Sequence, residues 1–290
     1  SLGYRVKYMD YSFYGCTSLP SMIIPPSTIS MNSTFENCSN LVDVVYRGNN
    51  VKYMISTFRN CSNLAKAQCS DNVIDMSLAY HNCVNVPNAA CGNNVTNMHS
   101  SFACMVANLY LLYSTNNEEI NRYLQSCMKI TTAVCGPNVV DMSFAFSECG
   151  HLTSAVCGPN VVNMSSAYDK CISLTSAVCG PNVVDMSYAY LCCFNVTQGV
   201  CGPNVVNMSY AYASCVNLQS ALIGRNVKDA TNVFCAYSSP VSKLTDIKIY
   251  TSSVINGIGN SFRFNTPSNI RKDIYVIAGS SINNAYWALN

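Results

Sequence analysis

Charge is what this 290-residue chain has least of. Only 10% of its residues are Asp, Glu, Lys or Arg, against roughly 25% in an ordinary soluble domain. The balance is 16 basic to 14 acidic residues, net +2, which leaves no electrostatic footprint for nucleic acid. There is one Trp and there are three His, too few for a His-rich metal or proton-relay site. No apolar run approaches the roughly 18 residues of a membrane span, so a soluble chain with no membrane insertion is expected. Disorder is excluded as well, because 49% of the residues are hydrophobic and such a chain can bury a core. The chain starts at Ser1 with no signal peptide, which suggests a processed chain or a fragment.

What is present is sulfur and a repeat. The string AVCGPNVVDMSFAFSECGHLTS begins at Ala133 and returns at Ala155, Ala177 and, as GVCGPNVVNMSYAYASCVNLQS, at Gly199. The period is 22. Met9, Met31, Met54, Met76, Met98, Met142, Met164, Met186 and Met208 share one register, with a single 23-residue step after Met31. Ile120 and Ala230 complete the column, so eleven rungs are expected. Length alone points to two domains; the repeat replaces them with one solenoid over residues 1–240 and a capping segment over 241–290 that contains Trp287.

The spacing predicts the local structure. Met142, Ala145, Phe146 and Cys149 fall at i, i+3, i+4 and i+7, the face of a short helix, with Asp141 placed to cap it. Leu152, Ala155 and Cys157 follow at the inward positions of a short strand, and Gly-Pro-Asn turns the chain back. Each rung should therefore be strand, turn, helix, turn: an α/β solenoid of the leucine-rich type. At about 4.8 Å per rung the stacked strands would make a sheet roughly 48 Å long.

These residues resemble the BspA-like leucine-rich repeats. The match is carried by Met142-Ser-Phe-Ala-Phe-Ser-Glu-Cys-Gly-His-Leu-Thr-Ser, by Cys16-Thr-Ser-Leu-Pro-Ser-Met-Ile-Ile-Pro25, and by the closing Asp273-Ile-Tyr-Val-Ile-Ala-Gly-Ser-Ser. It departs in placing Cys at a strand position usually held by Ile or Leu, and Met where Ile is common. The resemblance implies a binding role, because such repeats occur in bacterial surface adhesins, in surface proteins of protists and in phage tail fibres. An extracellular, cell-surface or virion location follows from the same likeness. Partners would then be a host or cell-surface protein or glycan, with no cofactor.

The candidate chemistry is thin. Fifteen of the 18 Cys lie in two columns, one seven residues after the Met and one fifteen after. Like columns on adjacent rungs reach disulfide range, but parallel Cβ vectors make poor bridges, so a reduced, buried ladder is expected. Cys104, Cys192 and Cys235 fall off the columns and are the expected exposed thiols or odd bridge. His81, His99 and His151 take three different repeat positions and read as solvated turn residues. Asp75, Asp141 and Asp185 alternate with Asn97, Asn163 and Asn207, a capping pattern and not an acid–base pair. No catalytic residue, metal site or phosphate loop is assigned. Seven N-x-[ST] sequons, at Asn32, Asn37, Asn60, Asn94, Asn163, Asn195 and Asn207, read as by-products of an Asn- and Ser-rich repeat.

Two surfaces remain. On the strand face Val134, Val156, Val178, Val200 and Leu222 point outward beside Gly136, Gly158, Gly180, Gly202 and Gly224, an apolar stripe of the kind that marks interfaces. Two residues after the Met, Phe144, Tyr188 and Tyr210 offer aromatic contacts. Either surface suits binding; the strand stripe also suits self-assembly into a fibre. The N-terminal rung has no cap in the sequence, so a longer polypeptide or a second subunit is expected to cover its edge.

Overall fold

The computed structural model describes residues 3–89, 91–104, 128–235, 243–251, 254–258 and 271–276. The chain forms a β-solenoid. Its strands are β1 (Ser21–Ile24), β2 (Asp43–Tyr46), β3 (Thr132–Val134), β4 (Ser154–Val156), β5 (Gln198–Val200), β6 (Ser220–Ile223), β7 (Asp246–Thr251) and β8 (Arg271–Val276). All pair in parallel, as β1-β2, β3-β4 and β5-β6-β7-β8. The register follows the repeat: Ala133 lies beside Ala155 and Val200 beside Leu222. Inward residues such as Ala133, Ala221, Ile247 and Ile249 are buried.

The short helix of each rung is absent among the described residues. A run of turns stands in its place, and its hydrogen bonds show why. Met31, Ser33, Phe35 and Asn37 send their N–H groups out of the rung, to the carbonyls of Tyr53, Ile55, Thr57 and Arg59 on the next one. The residues between them bond locally, as Thr34 N–H to Met31 O and Cys38 N–H to Phe35 O. A helix would keep all these donors within the segment. Directing alternate N–H groups along the stack requires a left-handed backbone twice per rung. Ser33, Ser56, Phe144, Ser166, Tyr188 and Tyr210 have φ of 49–57°, and Asn37, Asn60, Asn82 and Lys170 have φ of 58–63°. Each is the third residue of a four-residue turn, where positive φ is at home. The apolar spacing that read as a helix therefore belongs to two consecutive turns whose inward residues happen to share the helical intervals. Asp141 keeps its place but changes its role: its Oδ1 accepts the N–H of Ser143 at 2.9 Å, closing an Asx turn.

The rung count also changes. The turn ladder runs Tyr8, Ser30, Tyr53, Asp75, Asn97, then directly to Asp141, and on through Asn163, Asp185, Asn207 and Asp229 to Asn256. Phe102 stacks on Phe146 at 5.6 Å and 1°, so no ring stands between them. Among the described residues the column therefore steps from Met98 directly to Met142 and holds ten places from Met9 to Ala230, one fewer than the eleven expected. Ile120 and Leu124 lie outside the described residues. The sequence carries a signal of the difference. Asn117, Glu119 and Ile120 stand where other units have Val, Asp or Asn, and Met.

The core is columnar. The Met column is at most 1% exposed. Four residues on, the rings of Phe13, Phe35, Phe58, Tyr80, Phe102, Phe146, Tyr168, Tyr190 and Tyr212 stack at 5.2–5.8 Å, the offset geometry aromatic rings favour. Val51, Val73, Val95, Val139, Val161, Val183, Val205 and Val227 add a buried column three residues before the Met, one the repeat reading did not single out.

The left-handed residues carry a cost of roughly 1–2 kcal/mol each where the side chain has a Cβ. Ser56→Gly should therefore raise stability, by a few tenths up to about 1 kcal/mol once glycine's greater unfolded-state freedom is subtracted. Ser56→Val should lower it by more than about 1 kcal/mol. Urea denaturation of the two variants checks both signs.

Candidate binding faces

The strand face is exposed where expected. Val134 is 61% exposed, and Val156, Val178 and Val200, with Ile23 and Val45 earlier in the same column, are 47–53% exposed. Leu222 and Gln68 are half-buried, and Ala90 and Leu112 lie outside the described residues. The glycines are not part of this stripe. Gly136, Gly158, Gly180 and Gly202 are buried and Gly224 half-buried. A Cβ at Gly158 would lie 2.8 Å from the Gly136 carbonyl, and one at Gly202 2.8 Å from that of Gly180. Glycine is there to let rungs approach, so the exposed stripe is a single aliphatic column.

The turn face holds the aromatic column. Phe144 and Tyr188 are exposed and Tyr210 half-buried. Tyr188 and Tyr210 stack at 4.7 Å and 6°, and Asn232 Nδ2 donates to Tyr210 Oη at 2.7 Å. His99 meets Phe144 edge-on at 5.8 Å and contacts Ser143 Oγ through Nδ1 at 2.7 Å. Val140, Val162 and Val184 form a further exposed column on this face. The repeated Val-Val pair was its signal, since the first Val of each pair is buried and the second is exposed.

The described cysteines are all in the thiol form. In the first column the thiols of Cys61, Cys83, Cys149, Cys171, Cys193 and Cys215 donate to the carbonyl of the ring residue on the preceding rung, at 2.9–3.1 Å. A thiol fits because it is small, apolar and still a donor. Burial pushes the thiols of Cys61, Cys69, Cys135, Cys179 and Cys192 up to about 12. Cys104, Cys192 and Cys235, expected to be exposed, are buried, since the off-column positions also lie under neighbouring rungs. Cys16 alone of the described cysteines is exposed. Maleimide labelling of the native protein followed by peptide mapping should modify Cys16 readily and leave Cys104, Cys192 and Cys235 protected until denaturant is added.

His81 is likewise not a solvated turn residue. It is buried, its two ring nitrogens lack hydrogen-bond partners among the described residues, and burial followed by the Arg59 guanidinium lowers its pKa. His99 and His151 are half-buried. Lys170 bridges Glu148 Oε1 at 2.8 Å and Asp169 Oδ2 at 3.3 Å. Burial raises Asp169 from 3.8 to about 6 despite Lys170. The folded state therefore holds the Asp169 proton up to about pH 6, whereas the unfolded chain releases it near pH 4. Its contribution to stability is complete below the unfolded value and declines as pH rises from about 4 through 6. Asp169→Asn should flatten the stability profile across that window, as read by urea midpoints at pH 4 and 6.

No three His, Cys, Asp or Glu side chains stand together as a metal site among the described residues, nor is any described helix long and apolar enough to cross a membrane. The exposed first rung has a simple polarity. The carbonyls of Tyr8, Asp10, Ser12 and Tyr14 have no hydrogen-bond partner among the described residues, whereas the equivalent carbonyls of Ser30, Asn32, Thr34 and Glu36 accept from the first rung. This edge of the turn ladder offers acceptors only.

The repeat itself matches the BspA type leucine rich repeat region, in six copies over residues 6–109 and 118–241. The chain belongs to this leucine-rich repeat family. Among solved structures, a leucine rich cell surface protein from Faecalibacterium prausnitzii is similar at 15% identity and a TM-score of 0.44, over 97% of this chain and 85% of that one. A leucine-rich repeat protein from Bacteroides ovatus is similar at 14% identity and 0.39, over 93% and 88%. The T. pallidum leucine rich repeat protein is similar at 15% identity and 0.40, with 52% of this chain covering 62% of its length. No curated protein matches. Membership suggests a surface-exposed binding scaffold, the usual use of such solenoids.

Proposed function

We propose that the chain is a non-enzymatic adhesion module that recognises a protein or glycan on a cell surface, carried on a bacterial surface protein or a phage tail fibre. The observation that carries this reading is the aliphatic column Val134, Val156, Val178 and Val200, held exposed beside a core that is already closed. Exposed apolar surface of this regularity costs solubility unless something covers it. The spacing of the column is set by backbone hydrogen bonds and by the buried glycines. The column presents shape and apolar area with no charge, so affinity would come from complementarity and not from steering.

The same column suits a second use, a structural subunit that pairs through its strand face or its ends into a fibre. Val156→Asp and Val178→Asp test both uses at once. A binder should lose attachment to its target cells, by about tenfold or more, while its sedimentation and thermal melt stay unchanged. A fibre subunit should instead fall from polymer to monomer in sedimentation. Variants unchanged in attachment and in assembly would refute the role of the strand face.

A further inference from the structure

A feature of the turn face lies at Ser166. Phe144, Ser166 and Tyr188 occupy one column with nearly the same backbone angle, φ of 56°, 53° and 57°, so their side chains leave the solenoid in the same direction. The two rings are exposed and Ser166 is buried. On its far side Phe144 is met by His99, and on its far side Tyr188 is stacked on Tyr210. Each ring is thus backed on one side, and between their other sides the column place is held only by the small, hydroxyl-bearing Ser166.

The distance between the rings selects what enters. The rings stand two rungs apart, about 10 Å, with a group midway about 5 Å from each. A flat ring makes van der Waals contact at about 3.5–4 Å and would touch only one wall. A cation acts on an aromatic face out to about 6 Å and would be held by both. The charges agree. Asp141 and Asp185 stand three residues before Phe144 and Tyr188, and residues 139–210 carry Asp141, Glu148, Asp169 and Asp185 against Lys170 alone. Lys170 is already engaged by Glu148 and Asp169. This stretch is acidic although the whole chain is net +2.

We propose that the gap between Phe144 and Tyr188, floored by Ser166, is a slot for a basic side chain of a protein partner, arginine ahead of lysine because a guanidinium is more weakly hydrated than an ammonium and costs less to bring between two rings. The slot lies on the turn face and is independent of the strand-face reading above, so either can fail without the other.

The test is an NMR titration of the folded chain with acetyl-Gly-Arg-Gly-amide, set against the same peptide with neutral citrulline and against methyl glucoside. The arginine peptide should shift the ring resonances of Phe144 and Tyr188 saturably and bind about three- to tenfold more tightly than the citrulline peptide. Ser166→Phe, which the backbone accommodates because Phe144 holds the same conformation, should fill the slot and abolish the shifts. Ser166→Ala should keep them. Asp141→Asn with Asp185→Asn should weaken binding, and the arginine peptide should lose affinity as salt is raised. Equal or tighter binding by the citrulline peptide, preference for the glucoside, undiminished shifts in Ser166→Phe, or no saturable shift at all would each overturn the proposal.

Discussion

The turn ladder is the interaction on which the rest of this solenoid depends. Four alternate N–H groups of each rung, such as those of Met31, Ser33, Phe35 and Asn37, bond to the next rung. That arrangement fixes the spacing between rungs and obliges two residues per rung to take positive φ. It also gives the stack a direction, since the alternate N–H groups of one rung bond to the carbonyls of the next. The β-strands add pairing at one corner, but only in separate groups. The turn ladder runs almost from one end of the described chain to the other.

The core residues follow from that spacing. A stack repeat of about 4.8 Å lets rings ride over one another at 5.2–5.8 Å. It also brings each ring-residue carbonyl within reach of the next thiol. Cysteine is used here as a small donor in a dry place, which explains both its abundance and its reduced state. Glycine after the strand serves the same spacing, since a Cβ at Gly136, Gly158 or Gly202 would press on the preceding rung. The polar residues that enter this interior are paired at a cost, as the Glu148–Lys170–Asp169 group shows.

The outer columns are where the rung is free to vary, and function is read there. The strand Val is exposed, as is the second Val of the turn in Val140, Val162 and Val184; at the left-handed position Phe144 and Tyr188 are exposed and the serines are buried. The left-handed position is the most telling of the three. Glycine would satisfy the backbone there without strain and asparagine with less, and rungs with Ser33, Ser56 and Ser166 at least keep the side chain small. Phe144, Tyr188 and Tyr210 accept the conformational penalty of a bulky residue. Strain kept at an exposed position argues for use.

Family, period and the identity of nearly every core column were legible in the sequence, because a 22-residue repeat compares itself: Met, ring, Cys and Leu recur at fixed intervals whatever the backbone between them does. The outward direction of Val134, Val156, Val178 and Val200 was legible too, since alternation along a strand sets it. Whether the segment after each Met is helix or turn was not, because i, i+3, i+4 and i+7 describe both, and only the direction of the N–H groups separates them. The direct step from Met98 to Met142 was hidden for a related reason. Register along a sequence is not register along a stack, and contact between Phe102 and Phe146 decides the second. The buried places of Cys104, Cys192 and His81, and the flanking of Ser166 by Phe144 and Tyr188, are likewise products of neighbouring rungs. They arise from residues about 22 apart or more, whose contact no local pattern records.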